Sequence, residues 1–121
     1  MLRLLLAVSM LFALALPVAA GSSPVRPTLT AKVTARSVTL TRPDGTRVRT
    51  LQPNAYRIVV RDATTAQNFH LTGPSLNVRT KVAAKTTATW FVNLAPGKYS
   101  YRSDRNKHLR GSFMVAGAPP V

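Results

Sequence analysis

The stretch Tyr56-Arg-Ile-Val-Val-Arg-Asp62 indicates how this chain folds, because a large aromatic or aliphatic side chain recurs at every second position along it. Tyr56, Ile58 and Val60 fall at every second position and alternate with Arg57, Val59 and Arg61. Successive side chains of a β-strand point to opposite faces of the sheet, so this spacing is typical of a strand with one face buried.

The same two-residue period recurs on both sides of that stretch. Upstream, Leu29, Ala31 and Val33 alternate with threonine and lysine, and Val38 alternates with Leu40 in the same way. Downstream, further short strands are expected at Phe69–Leu71, Leu76–Val78, Ala88–Leu94, Tyr99–Tyr101 and Phe113–Val115. Short strands separated by turn residues predict an all-β sandwich. Its aromatic residues Trp90, Tyr99 and Tyr101 are then expected in the core rather than on a ligand platform.

The first 20 residues have the pattern of a secretory signal peptide. Arg3 precedes an apolar run from Leu4 to Leu16, and the small residues Val18-Ala19-Ala20 follow. Pro17 and the absence of a stop-transfer flank favour cleavage over retention as an anchor. We therefore expect a signal peptide at 1–20, a flexible leader at 21–27, the sandwich at 28–115 and a flexible tail at 116–121. The expected location is extracytoplasmic (secreted or in the cell envelope), with no transmembrane segment after cleavage.

The composition is strongly basic. The chain has 17 Lys and Arg against 3 acidic residues, a formal net charge of +14, and no cysteine. Such a charge favours association with polyanions that weakens as salt is added. Export argues against a specific nucleic acid, so an anionic envelope polymer, an acidic lipid or an acidic protein is the expected partner. The alternative is a generally basic surface with no dedicated partner.

Several landmarks together resemble the cupredoxin family, the small blue-copper-type β-sandwiches. In order along the chain they are Asp44-Gly45, Tyr56-x-Ile58-x-Val60-x-Asp62, Gln67-Asn-Phe-His-Leu-x-Gly73-Pro74, Trp90, Leu94-x-Pro96-Gly97-x-Tyr99-x-Tyr101 and Gly111-Ser-Phe-x-Val115. The resemblance covers residues 39–115 and implies a Greek-key, cupredoxin-like sandwich.

The copper ligands of that family are replaced in this chain. Its copper loop reads Cys-x-x-His-x-x-Met, whereas here Ser103, Asn106 and Leu109 stand at those positions, and Gln67 stands where the family has its upstream histidine. A blue-copper site needs a thiolate and two imidazoles, which hydroxyl, amide and hydrocarbon groups do not replace. We therefore expect no copper and no other cofactor, with hydrogen bonds among Ser103, Asn106 and Gln67 in place of the metal.

Two histidines, His70 and His108, give a weaker alternative metal site. The alternation predicts that His70 lies with Asn68 on the face opposite to Gln67, while His108 is surrounded by cations. Two ligands rarely suffice for a tight site. A copper-binding or electron-transfer protein with a non-standard site around His70, His108 and Asn106 is nevertheless the alternative to a binding module.

The loop that replaces the copper loop is rich in cations. Arg102, Arg105, Lys107 and Arg110 are predicted to lie together and to bind anions, because arginine forks suit phosphate and carboxylate groups. The alternative is a solvated loop whose charges bind nothing specific.

No catalytic site is predicted from the sequence. The chain has no glutamate, and its three aspartates are Asp44, Asp62 and Asp104. Ser103, Asp104 and His108 have the residue types of a catalytic triad but lie too close together in sequence to adopt its geometry. The sequence as a whole predicts an exported, copper-free binding module and not an enzyme.

Overall fold

Strands account for all the regular structure of residues 26–119, the part of the chain that the computed structural model describes. They are β1 (Thr28–Val33), β2 (Val38–Thr41), β3 (Thr50–Leu51), β4 (Asn54–Asp62), β5 (His70–Gly73), β6 (Leu76–Arg79), β7 (Thr86–Leu94), β8 (Gly97–Arg102) and β9 (Arg110–Val115). The expected signal peptide, leader residues 21–25 and tail residues 120–121 lie outside the described residues. Within that part, no helix is long and apolar enough to span a membrane.

The strands form two mixed sheets, arranged as a β-sandwich. One sheet has four strands in the order β2-β1-β4-β7, with β1 and β4 parallel and the other pairs antiparallel. The second has five strands in the order β3-β9-β8-β5-β6, with β3 and β9 parallel. The all-β class predicted from the sequence is therefore confirmed.

The alternation seen in the sequence places the core between the sheets. On β4, Tyr56, Ile58 and Val60 are buried, whereas Arg57 and Arg61 are exposed. Strand β1 likewise buries its alternate apolar residues against the same cluster. Each buried aliphatic side chain contributes about 1.5–3 kcal/mol by leaving water. The period-2 pattern thus decides which face of each strand lies inside.

A row of aromatic rings crosses the core of the five-stranded sheet. Tyr99 stacks on Phe113 with ring centroids 5.2 Å apart, and Tyr101 stacks on Phe69 at 5.4 Å. Both tyrosines are fully buried, which confirms their predicted place in the core. Trp90 is half-buried and packs against Phe69 at 5.9 Å. Pairs of this kind add about 0.5–1.5 kcal/mol to the free energy of burial.

Two glycines make room for these tyrosines. A Cβ atom on Gly73 would overlap the ring of Tyr99, and one on Gly111 would overlap the ring and hydroxyl of Tyr101. Any larger residue at either position would have to displace a ring held in the packed core. The glycines in two of the sequence landmarks are therefore explained by packing.

Two of the three tyrosine hydroxyls bond to a carbonyl four residues upstream. Tyr56 Oη donates to Gln52 O at 2.7 Å, and Tyr99 Oη donates to Ala95 O at 2.9 Å. Burial raises the pKa of both phenols, so both hydroxyls keep the proton that they donate. The Tyr101 hydroxyl is buried without a partner among the described residues.

This difference predicts which tyrosine hydroxyls matter for stability. We expect Tyr56→Phe and Tyr99→Phe each to lower the free energy of unfolding by about 1 kcal/mol, because each leaves a carbonyl without its donor. Tyr101→Phe is the matched control and should be neutral or slightly stabilising, since it removes an unpaired polar atom. Urea unfolding of the three variants checks this. A loss in Tyr101→Phe equal to the other two would contradict it.

Candidate functional site

The loop between β8 and β9, residues 103–109, closes on itself through its backbone. Ser103 N donates to Leu109 O at 3.0 Å, and Leu109 N donates to Asn106 O at 3.0 Å. The Asn106 side chain then accepts from His108 N at 3.0 Å. Such local side-chain bonds are typical of asparagine in tight loops. Asn106 therefore stabilises its own loop and does not join the Ser103–Gln67 contact that the sequence predicted for it.

Ser103 is fully buried and joins this loop to the segment before β5. Its hydroxyl donates to Gln67 Oε1 at 2.6 Å and accepts from Arg105 N at 3.2 Å and Asn68 N at 3.4 Å. The hydrogen bond predicted between Ser103 and Gln67 is thus present. Gln67 Nε2 in turn donates to Ala35 O at 3.5 Å.

Asn68 and Asp104 exchange two hydrogen bonds beside this contact. Asp104 N donates to Asn68 Oδ1 at 2.7 Å, and Asn68 Nδ2 donates to Asp104 Oδ2 at 2.9 Å. Asn68 Nδ2 also donates to Thr80 O at 2.9 Å, just after β6. One buried amide therefore connects the loop with the ends of two strands.

Asp104 is also the acidic partner of three basic side chains. Its Oδ1 lies 2.7 Å from His70 Nδ1, and the other ring nitrogen, Nε2, lies 2.6 Å from Asn77 Oδ1. The guanidinium groups of Arg79 and Arg102 lie 3.7 Å from the carboxylate. Both arginines are largely exposed, so these two longer contacts are weak.

The environment of Asp104 favours its charged form. Burial alone would raise the pKa of this carboxyl. Hydrogen bonds from Asn68 and His70, with the charges of His70 and Arg79, outweigh that effect and hold the pKa below its ordinary value of 3.8. The carboxylate is therefore present at neutral pH and faces the cations of the sheet.

The residues that the sequence resemblance aligned with copper ligands do not fit copper. Ser103 and Gln67 bond to each other, Leu109 offers hydrocarbon, and both nitrogens of His70 are engaged in hydrogen bonds. His108 is exposed on the loop. No cluster of three or more His, Asp or Glu residues within 26–119 is arranged to hold a metal ion. Copper prefers thiolate and imidazole donors, and this end of the domain offers no thiolate and only the single exposed imidazole of His108.

A catalytic triad is not assembled either. Asp104 bonds to His70 and not to His108, while Ser103 donates to the amide of Gln67. A nucleophilic serine needs a base within hydrogen-bond reach. The three neighbouring residues considered from the sequence therefore act in separate contacts.

A cationic groove of about 600 Å³ lies on the outer face of the β8–β9 hairpin. Its basic residues are Lys98 and Arg102 from β8, Lys107 from the loop and Arg110 from β9. Ser100 and Ser112 lie opposite each other along its floor. Tyr101 and Gly111, the next pair along the same two strands, also line the groove.

The groove differs from the sequence prediction at two residues. Arg105 is exposed and does not line the groove, whereas Lys98 does. Lys98 could have been found, because it alternates with Tyr99 and Tyr101 and so shares the outer face with Arg102. The side-chain direction of Arg105 depends on the loop closure described above, which no periodic pattern reveals.

Like charges are concentrated around the groove. Across the five-stranded sheet, Arg110 lies opposite Arg102, which lies opposite His70, which in turn lies opposite Arg79. Like charges in directly opposed positions repel. Among the described residues, Lys98, Lys107 and Arg110 have no carboxylate within ion-pair distance. Apart from Arg102, which has the weak contact with Asp104, the groove cations therefore carry uncompensated positive charge.

Comparisons of this chain with protein-family models and with curated proteins found no match.

Asp104 and Asp62 should affect stability in opposite ways. We expect Asp104→Asn to lower the free energy of unfolding by about 2 kcal/mol at neutral pH, because its charge-assisted hydrogen bonds are lost. The lowered pKa means that this contribution is complete above pH 3.8 and disappears as the pH falls through the folded value. The gap between wild type and variant should therefore close in acid.

Asp62 is the matched control. Its Oδ1 accepts from Thr64 N at 3.0 Å, but its Oδ2 is buried without a partner among the described residues, and burial raises its pKa. Its charge therefore costs stability at neutral pH, and this cost is removed as the pH falls through the raised pKa. Asp62→Asn should leave neutral-pH stability unchanged or slightly higher. Chemical unfolding across the acid range measures both effects, and equal losses at neutral pH would refute this account.

Proposed function

We propose that this chain is an exported, non-enzymatic binding module that holds an anionic partner in its cationic groove. The observation that carries the proposal is the convergence of Lys98, Arg102, Lys107 and Arg110 from two strands and a loop around one concave surface. A generally basic protein needs no such convergence. The proposed location is extracytoplasmic, because residues 1–20 have the signal-peptide pattern.

The chemistry of the groove suits phosphate or carboxylate groups carried in series. Guanidinium groups bind such anions with two parallel hydrogen bonds, while lysines act as point charges. The hydroxyls of Ser100 and Ser112 add neutral donors between the cations. The groove lies on an open sheet face, so it can accept one stretch of a longer molecule. An anionic envelope polymer, an acidic lipid surface and an acidic protein all offer such groups.

The finer fold assignment is part of the same proposal. We take the sandwich to be a copper-free, Greek-key, cupredoxin-like domain. The hydrogen bonds from Tyr56 and Tyr99 to carbonyls four residues upstream support this, because the tyrosine corner of Greek-key sandwiches uses such a contact. The sequence landmarks support it as well. We assign the function to the groove, because the cations converge there.

Two triple variants of equal charge test the groove. Lys98, Lys107 and Arg110 are changed to serine in one, and Lys32, Arg57 and Arg61 in the other. The second set is exposed on the outer face of the four-stranded sheet. Near an anionic surface each cation is worth about 1 kcal/mol, so we expect the groove variant to bind about a hundredfold more weakly. The control should lose much less.

Binding is measured by titration against inorganic polyphosphate, polyglutamate and phosphatidylglycerol vesicles, so that the three arms separate the three partner chemistries. For each of these ligands that binds the protein, the affinity should fall as salt is added. Equal weakening in the two triple variants would mean that only overall charge matters. That result would contradict a dedicated groove.

A further inference from the structure

Strand β7 is a long, open edge of the four-stranded sheet. It runs for nine residues, Thr86–Leu94, and pairs along its whole length with β4 on one side only. None of the loop and inter-strand backbone hydrogen bonds found elsewhere in residues 26–119 involves a β7 residue. Within the described residues, nothing pairs with the outward N–H and C=O groups of β7, and an edge of this kind is a template for pairing with another strand.

The other three sheet edges are short or covered. Strand β3 has two residues, with Pro53 just beyond it, and β6 has four residues, which follow Pro74 closely and end with Arg79. Strand β2 is covered by Val48, whose N–H donates to Leu40 O at 3.0 Å. Short strands, prolines and covering segments are the usual means of blocking unwanted strand pairing. Of the four edges, β7 alone lacks all three.

The composition of β7 is also unlike that of the rest of the chain. Thr-Thr-Ala-Thr-Trp-Phe-Val-Asn-Leu contains no charged residue, proline or glycine, in a chain that carries 17 Lys and Arg. Its β-branched and aromatic residues favour strand pairing. Phe91 on its outer face is 64% exposed, and Trp90 on its inner face is only half-buried. A partner strand would cover part of both.

We propose that two copies of this chain pair antiparallel along β7, which joins their four-stranded sheets into one continuous sheet. A two-fold axis makes any antiparallel strand complementary to its own copy. An uncharged strand is also the fitting partner for an uncharged edge. An acidic segment would bind more tightly to the basic surfaces elsewhere on the protein than to β7.

The net positive charge of the chain makes the stability of this dimer depend on salt concentration. On the outer face, the Arg26 guanidinium lies over the ring of Phe91, 5.4 Å from its centroid, and Arg57 and Arg61 lie on the neighbouring strand β4. In the dimer the two β4 strands are three strand spacings apart, roughly 14 Å, so repulsion between their arginines is already largely screened at physiological ionic strength, where the Debye length is about 8 Å. The two copies still carry the same large positive charge, and added salt screens the repulsion between them. Added salt therefore strengthens the dimer, whereas it weakens anion binding in the groove.

Matched single substitutions at opposite edges of the sheet test this inference. Thr89 on β7 and Thr41 on β2 lie in one cross-strand row with Thr30 and Val59. Thr89→Lys places a charge on the pairing edge, and Thr41→Lys adds the same charge at the far edge. Sedimentation velocity over a concentration series, at physiological salt and at about 0.5 M NaCl, gives the dimer dissociation constant.

We expect wild type and Thr41→Lys to dimerise alike, and more tightly in the higher salt. Thr89→Lys should weaken the dimer by about tenfold or more while its unfolding curve stays close to that of wild type. Hydrogen exchange should slow at β7 amides as the wild-type concentration rises. The fluorescence of Trp90, the single tryptophan, should shift with it.

Three outcomes would overturn the inference. The first is a wild-type chain that stays monomeric at both salt concentrations, with fast exchange along β7. The second is a monomer whose β7 amides are protected at every concentration, which would mean that a segment of the same chain covers the edge. The third is a dimer that Thr89→Lys and Thr41→Lys weaken equally, because that dimer would use another surface.

Discussion

A single carboxylate, that of Asp104, organises the end of the domain where the cations gather. It accepts from His70 and Asn68, lies near two arginines, and its backbone N–H donates to Asn68. The chain has only 3 acidic residues for 17 Lys and Arg, so few carboxylates are present to offset repulsion across the strands. By tying the loop to β5, Asp104 keeps residues 103–109 folded back over the sheet. Lys107 and Arg110 can then face Lys98 and Arg102 across one groove.

Beneath that loop, hydrogen bonds join Ser103 to Gln67, two of the residues that the sequence resemblance aligned with metal ligands. The Ser103–Gln67 contact is short and buried, and the Asn68 amide is satisfied on both its oxygen and its nitrogen. A buried polar network is stabilising only when its members are paired, as they are here. The aromatic stacks of Tyr99 and Tyr101 with their phenylalanine partners support the same strands from the core side. Polar contacts and ring packing thus act on opposite faces of β8.

Much of this structure could be predicted from period-2 alternation. It assigned Tyr56, Ile58 and Val60 to the core, where Tyr99 and Tyr101 were expected as well, and all five are buried. The features that the alternation did not predict depend on contacts between residues that are distant in sequence. His70 and Asp104 are 34 residues apart, and they meet because His70 pairs with Arg102 across β5 and β8. Strand order is also needed to see that β7 is an edge, because a half-buried strand has the same alternation at the centre of a sheet as at its border. Loop conformation, which decides that Arg105 does not line the groove, has no periodic signal.

The central claim is that this end of the domain is held by a carboxylate and amide network and not by a metal ion. The most direct test is metal analysis and thermal unfolding of protein purified after exposure to copper, with and without a strong chelator. Because a ligand that binds only the folded state raises the unfolding temperature, a structural metal would be revealed by its removal. The network account predicts no stoichiometric metal and the same midpoint in both samples. A coloured protein with one copper per chain, or a midpoint that falls when chelator is added, would contradict it.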